Sequence, residues 1–546
     1  MPAGRFITPR PVNEKVRDYG PGSEDKTLLK RELERQAAHP VEIAPIVGGR
    51  PVLTGRTGRV ACPHDHGLDL GVYHMGTPDV AGRAIAAAAA AKAGWQGLPW
   101  EDRAAVFLKA ADLLAGPYRY TMNAATMLGQ SKTVFQAEID SVCELADYLR
   151  FNVSYVCRIL SAQPEASPQG SWNKLEYRPL DGFVLAVAPF NFTSIGGNLP
   201  TAPAMMGNTV IWKPASSALL SAHYFMRILI EAGLPDGVIN MVPGAGAEIV
   251  NPAVDHADLA GVHFTGSTGT FIYIWGRVAA NLGRRVYRNY PRLVGETGGK
   301  DFILACPDAD LDELAVAMFR GAFEYQGQKC SAASRAYIPG SLWPGLLDRL
   351  KKMSERTRVG DVRDFRNFMG AVIDRAAFDR ITGYIAEARA SDRAEIAVGG
   401  ESDDTKGFFI RPTVVRTSDP KSRGMSEEIF GPVLTVYVYE DRDFEGTLAL
   451  VDGTSPYALT GSIFGRDRTR IRLALDRLSQ AAGNVYINDK PTGAVVGQQP
   501  FGGGRLSGTN DKAGGYFNML RWTSPQAVKE SFAPPKDPFY PHMSEE

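Results

Sequence analysis

Between residues 79 and 160, apolar residues return at three- and four-residue steps in VAGRAIAAAAAAKAGW, EDRAAVFLKAADLLAG and VFQAEIDSVCELADYLRFNVSYV. That period predicts several amphipathic helices. Downstream, short β-branched runs alternate with helical text: FVLAVAP, TVIWKPA, HYFMRILIEAG, VINMVPG, then LAGVHFTGS leading into GTFIYIWGRVAANL. Strand and helix in alternation at this spacing predict a parallel doubly wound sheet. After Glu296 a second alternation begins with DFILACP, LAVAMFRGAF, RAYIPG, ITGYIAEARASD and VLTVYVYE, which predicts another α/β unit. Before residue 75 the text is punctuated by Pro and Gly and is weakly periodic. The tail from 517, FNMLRWTSPQAVKESF, reads as a strand with an exposed edge, a feature commonly covered by a partner.

A chain of 546 residues exceeds what one core usually organises, so two or three packed units are expected. Lys+Arg and Asp+Glu both total 60, which removes bulk charge as a route to nucleic acid and leaves a small molecule as the expected partner. The Ala-rich run is too short for a membrane span and contains Lys92. The N-terminal text, MPAGRFITPRPVNEKVRDYGPGSEDK, lacks an apolar signal region and carries acids early, so a cytoplasmic location is expected, or the mitochondrial matrix if the chain is eukaryotic and processed. Five scattered cysteines (Cys62, Cys143, Cys157, Cys306, Cys330) with no C-x-x-C spacing point to a reducing compartment. Cys62, His64 and His66 stand close together in ACPHDHGLDL, but a tetrahedral metal site needs a fourth ligand and usually wider spacing. They are read as a surface strand or turn, and no metal is expected.

Candidate chemistry lies in the turns. Cys330, in EYQGQKCSAASR, has a glycine, small residues and Lys329 nearby; a neighbouring cation would favour the thiolate, while a lone cysteine among alanines is more often structural. Glu296 ends an apolar strand in LVGETGGKDF, where burial would raise its pKa towards general-base duty; the alternative is a turn acid. Asn191, in VAPFNFTSIGGNLP, is an uncharged donor suited to a transient oxyanion, or a turn asparagine. Lys213, in GNTVIWKPASS, points beyond a strand's carboxyl end, where a cofactor ribose or phosphate would lie. Gly266, Ser267 and Gly269, in FTGSTGTF, could leave amides free for a pyrophosphate. VPGAGAEIV holds only a lone G-x-G, so the common dinucleotide fingerprint is absent.

Taken together, PFNF, WKPA, FTGS, GETGGK, GQKCSA, EEIFGPVLTVYVY and PFGG resemble the aldehyde dehydrogenase superfamily, in chain order from residue 79 onward. FQAEID, FNFTSIGGNLP, QKCSAASR, PTGAVVGQQPFGGGRLSGTNDKAGG and LRWTSPQ resemble its branch that oxidises L-glutamate γ-semialdehyde. The resemblance implies an α/β fold: a Rossmann-like NAD-binding domain (1–160 and 182–296), a second α/β catalytic domain (297–488) and a β-strand oligomerisation arm (161–181 and 515–546). It implies Cys330 as nucleophile, Glu296 as base and Asn191 at the oxyanion. Ala188, Pro189, Phe190, Lys213, Ser216, Gly246, Thr265, Gly266, Ser267, Gly298, Glu428 and Phe430 would hold NAD. Many NAD-selective relatives carry a glutamate where this chain has Ser216, so NADP is not excluded. Lys329, Ser331, Phe192 and Phe501 would surround the substrate, with Gly493 and Ala494 amides on its α-carboxylate and Glu144 facing its α-ammonium. A homo-oligomer, at least a dimer, and transient contact with a proline dehydrogenase are also implied.

Overall fold

Five apolar runs, Phe183–Val187, Thr209–Lys213, Ile239–Met241, Leu259–Thr265 and Arg292–Glu296, lie parallel in one sheet of the computed structural model, which describes residues 6–545. The limits 1 and 546 of the expected units lie outside those residues. The chain starts at the central strand Phe183–Val187, winds outward through Thr209–Lys213 and Ile239–Met241, then returns to the other side through Leu259–Thr265 and Arg292–Glu296. The reversal therefore falls between Phe183–Val187 and Leu259–Thr265, and a crevice opens beyond their carboxyl ends. Both faces of the sheet are covered. Phe183, Leu185 and Val187 pack with helices Pro78–Gly97, Gly246–Val254 and Thr268–Gly283, while Val184 and Ala186 pack with Thr193–Met205 and Leu219–Ala232. Burial on both sides explains why these strands read as continuous apolar text and do not alternate.

The second sheet runs in the order Ala394–Val398, Thr413–Thr417, Val433–Tyr439, Ala333–Pro339, Asp301–Ala305, Thr460–Phe464 and Asn484–Ile487, with only the first strand antiparallel. Residues 297–300 carry the chain from the carboxyl end of Arg292–Glu296 directly into the amino end of Asp301–Ala305. The carboxyl edge of one sheet is thereby joined to the amino edge of the other. A separate ribbon pairs Ser171–Pro179 with Thr523–Ser531. The expected strand from 517 begins later, because Tyr516–Leu520 forms a helical turn that buries Met519, and Trp522 packs against His263 with ring centroids 4.6 Å apart.

Two N-terminal readings need correction. The weakly periodic text before residue 75 contains the helix Glu24–Ala38, capped by Ser23, whose Oγ accepts from Lys26 N at 3.3 Å. It buries only Leu29, Leu33 and Gln36, too thin a stripe to stand out as periodicity. Cys62 and His64 are not on the surface: His66 N donates to Lys406 O at 2.8 Å and Phe408 N to Pro63 O at 3.1 Å, closing the second unit over the turn. His64 is fully buried between Cys62 Sγ at 3.3 Å and Ser131 Oγ at 3.2 Å, and burial pushes its pKa down to about 4. Among the described residues, no helix is long and apolar enough to cross a membrane.

Candidate active site

Cys330 stands between the turn Glu324–Gly327 and strand Ala333–Pro339, where the second sheet's amino edge meets the first unit. Tyr325, Gln326 and Gly327 have φ of 52°, 55° and 66°, a left-handed run that side chains resist unless their surroundings hold it. Gln326 supplies the hold. Its Nε2 donates to Ala371 O at 2.7 Å and Ser131 O at 3.1 Å, and its Oε1 accepts from Gly370 N at 3.0 Å. At Gly327 a Cβ would lie 2.3 Å from Gly431 O, so only glycine passes there. Gln328 Oε1 accepts from Ile373 N at 2.9 Å, and Gln328 O accepts from Asn191 Nδ2 at 3.1 Å. Asn191, buried in the turn after Phe183–Val187, thus braces the cysteine's loop and keeps its second N–H free.

The Cys330 side opens onto a cavity of about 420 Å³. All seven expected substrate residues line it: Glu144, Phe192, Lys329, Ser331, Gly493, Ala494 and Phe501. Ser331 Oγ lies 2.7 Å from Thr492 Oγ1, and Gly493, at φ 100°, occupies a conformation that favours glycine. Lys329 does not act on the thiol as the sequence suggested. Its Nζ turns to Glu324 Oε2 at 3.4 Å, and burial holds its pKa down to about 8. With no helix N-terminus beside it, the Cys330 thiol is pushed well above its ordinary value by burial and by Asp301, Glu296 and Glu428.

Glu296 ends strand Arg292–Glu296, with its carbonyl accepting from Gly266 N at 3.2 Å. Its Oε2 is buried without a hydrogen-bond partner, and Oε1 lies so close to Gly502 that a Cβ there would sit 2.8 Å away. Burial raises its pKa well above the usual carboxylate range and Asp511 adds to this, while Lys512 and the Gly503 N–H oppose it. The buried Tyr148 phenol is pushed well above its ordinary value by burial, with Glu144, Glu296 and Cys330 adding to it; Glu296 and Asn191 do not line the cavity.

The expected cofactor residues follow the crevice. Ala188, Pro189 and Phe190 leave strand Phe183–Val187, and Ala188 N donates to Lys213 O at 3.0 Å. Lys213 ends Thr209–Lys213, has no carboxylate partner among the described residues, and is held down in pKa by burial alone. Ser216 opens the short turn Ser216–Ala218. Thr265 and Gly266 lead into Ser267, whose Oγ caps Thr268–Gly283 by accepting from Thr270 N at 3.3 Å. Gly299 N donates to Glu428 Oε1 at 2.9 Å, and a Cβ on Gly298 would meet Glu428 Oε2 at 2.4 Å. Phe190 and Phe430 meet edge to face with centroids 5.8 Å apart. Gly246 stands further out, exposed at the start of Gly246–Val254 beyond the next strand. An unpaired lysine, a capped helix N-terminus and strand ends at a topological reversal suit the ribose and phosphates of a dinucleotide.

Sequence reasoning missed Lys132, Asp140, Tyr148 and Thr492, and it missed Asn13, Glu14 and Val16, which belong to the cavity wall. Lys132 in GQSKTVF reads as an ordinary surface lysine, yet it is fully buried against Asp140.

A doubly wound sheet with a crevice at its topological reversal, joined to a second α/β sheet that carries a loop-borne cysteine, fits an oxidoreductase. The aldehyde dehydrogenase family pattern matches residues 53–528, and the chain belongs to that family. It is 51% identical over 539 residues to the mitochondrial Delta-1-pyrroline-5-carboxylate dehydrogenase of Dictyostelium discoideum, covering 99% of this chain and 97% of the relative. Among solved structures it is similar to the Delta-pyrroline-5-carboxylate dehydrogenase from Mycobacterium tuberculosis bound with NAD, at 52% identity and a TM-score of 0.96 over 100% of both chains. Proline utilization A from Bdellovibrio bacteriovorus is 30% identical with a TM-score of 0.90, covering 97% of this chain and 54% of that longer one.

Proposed function

We propose that the protein oxidises L-glutamate γ-semialdehyde, the open form of Δ1-pyrroline-5-carboxylate, to L-glutamate with NAD. The observation that carries this reading is the single cavity on which Cys330, Glu144, Ser331 and the Gly493–Ala494 backbone converge, an arrangement suited to a short chain with an aldehyde at one end and an amino-acid group at the other. Gly493 and Ala494 amides receive the α-carboxylate; Ala494 has no hydroxyl, so this contact rests on backbone N–H groups and Ser331. Phe192 and Phe501 wall the aliphatic stem.

The Cys330 proton is taken up by Glu296, a carboxyl with raised proton affinity. The sulfur then attacks the carbonyl carbon and forms a thiohemiacetal. The second N–H of Asn191 and the Cys330 backbone N–H stabilise its oxygen. When bound, NAD supplies the acceptor for the hydride whose loss turns this adduct into a thioester; Lys213, Ser216, Ser267 and Glu428 would hold it. Glu296 passes the cysteine's proton to solvent and then removes a proton from water, which attacks the thioester; the C–S bond breaks, the departing Cys330 sulfur takes that proton from Glu296, and glutamate is released.

The relative named as mitochondrial and the five free cysteines support a reducing compartment, cytoplasm or matrix. The exposed ribbon supports a homo-oligomer, and the longer proline utilization A chain supports transient contact with a proline dehydrogenase. The deciding assay supplies Δ1-pyrroline-5-carboxylate with NAD or NADP in parallel, following cofactor reduction and glutamate release. Wild type is expected to yield both with NAD, and Cys330→Ser to bind NAD and yield neither. Preference for a neutral aldehyde, or undiminished turnover by Cys330→Ser, sinks the reading.

A further inference from the structure

The N-terminal segment is irregular from residue 6 to 20, and its Asn13, Glu14 and Val16 form part of the cavity wall. This segment precedes residues 53–528, the part shared with the family at large. Building on the semialdehyde reading, we propose that Asn13 is a positioning residue that fixes the loop receiving the substrate's α-carboxylate.

Asn13 ties together two walls of the cavity. Its Nδ2 donates to Asp147 Oδ2 at 2.8 Å and to Val496 O at 2.8 Å, and its Oδ1 accepts from Gln498 Nε2 at 3.1 Å. Asp147 is buried on helix Leu145–Ser161, which also carries Tyr148 and directly follows Glu144; its other oxygen accepts from Glu14 N at 2.7 Å. Val496 and Gln498 lie in the loop that begins with Thr492, Gly493 and Ala494. Ser331 holds the start of that loop through Thr492 at 2.7 Å, and Asn13 holds its far end. Both hydrogens and the carbonyl of the amide are engaged, so no other side chain replaces it without loss. A loop that presents backbone amides to a carboxylate must be ordered before the substrate arrives, or binding bears the ordering cost.

The segment has independent moorings. Glu14 bonds Arg119 at 2.9 Å and Arg150 at 2.8 Å, and Tyr19 Oη donates to Glu138 Oε2 at 2.7 Å. Loss of the Asn13 side chain therefore frees the loop while leaving the segment in place.

The test compares Asn13→Ala and Asn13→Asp with wild type on glutamate γ-semialdehyde and on propanal, which has no carboxylate to anchor. Asn13→Ala is expected to raise KM for the semialdehyde about tenfold with kcat within about twofold, and to leave the propanal parameters unchanged. Asn13→Asp, which sets a carboxylate against Asp147 and Val496 O, is expected to be worse than alanine on the semialdehyde alone. Equal losses on both substrates would make the residue merely structural, and unchanged constants would remove the proposal. Wild type that ignores the semialdehyde would instead overturn the functional reading on which this one stands.

Discussion

Lys132 Nζ lies 2.6 Å from Asp140 Oδ2 with both side chains sealed from solvent, and the lysine nitrogen sits 4.2 Å from the centre of the Phe192 ring. Asp140 also accepts from Thr193 N at 3.0 Å and Ser194 N at 2.9 Å, so it neutralises the start of helix Thr193–Met205 while the lysine neutralises it. Lys132→Met would leave that carboxylate buried without a cation, and the expected loss is about 3–5 kcal/mol of stability. Urea denaturation measures it. The double variant Lys132→Met, Asp140→Asn is expected to recover part of the loss, and a single variant with an unmoved midpoint would contradict the pairing.

Glu144 is pushed up to about 8 from an ordinary 4.5 by burial, with Asp140 adding and the Ser194 hydroxyl opposing. Because the folded chain holds this proton more tightly than the unfolded chain, its stabilising contribution is full below pH 4.5 and is lost as pH rises towards 8. Glu144→Gln cannot ionise, so its thermal midpoint should exceed that of wild type near pH 8 by more than it does near pH 5, the two proteins compared in one buffer series. On the proposed placing of the substrate's α-ammonium at Glu144, substrate binding follows the opposite sense, since that ammonium requires the carboxylate. KM for glutamate γ-semialdehyde should fall as pH rises towards 8 in wild type and lose that fall in Glu144→Gln, while glutarate semialdehyde, without the ammonium, shows no such dependence in either. Parallel profiles for the two substrates would remove Glu144 from ammonium binding.

How far the site was legible depends on the range of the interactions that make it. Strands such as Phe183–Val187 and the turns that follow them are local events, so apolar runs ending in PFNF, WKPA and FTGS place Asn191, Lys213 and Ser267 at strand ends without any knowledge of the partner. Glu144 was harder to place. Helical periodicity assumes a uniform step, but Glu138–Glu144 is a π-helix, and its extra residue per turn shifts the register of Glu144 relative to the helix Leu145–Ser161. The misjudged charge environment of Cys330 has a similar origin. Lys329 is its neighbour in sequence, but Glu324 captures the lysine, while Asp301 and Glu428 arrive from other strands and loops to oppose the thiolate. Nothing in ACPHDHGLDL signals burial either, because the cover over His64 comes from residues 406–408.

The turn after Glu296 gives a last test, one that separates cofactor contact from folding. Gly298 faces Glu428 so closely that a Cβ would lie 2.4 Å from Oε2, and the neighbouring Gly299 N holds the other oxygen at 2.9 Å. The obstructing atoms all belong to the end of one flexible side chain, so Gly298→Ala is expected to be accommodated by swinging the carboxylate away, and the thermal midpoint should stay close to that of wild type. On the proposed role of Glu428 in holding NAD, the displaced carboxylate loses its contact, and KM for NAD is expected to rise about tenfold, the scale of one charge-assisted hydrogen bond. Glu428→Gln keeps the shape and weakens the charge, and should fall between the two. NAD titration alongside thermal melting reads both quantities, and a Gly298→Ala protein with wild-type cofactor affinity would remove Glu428 from NAD binding.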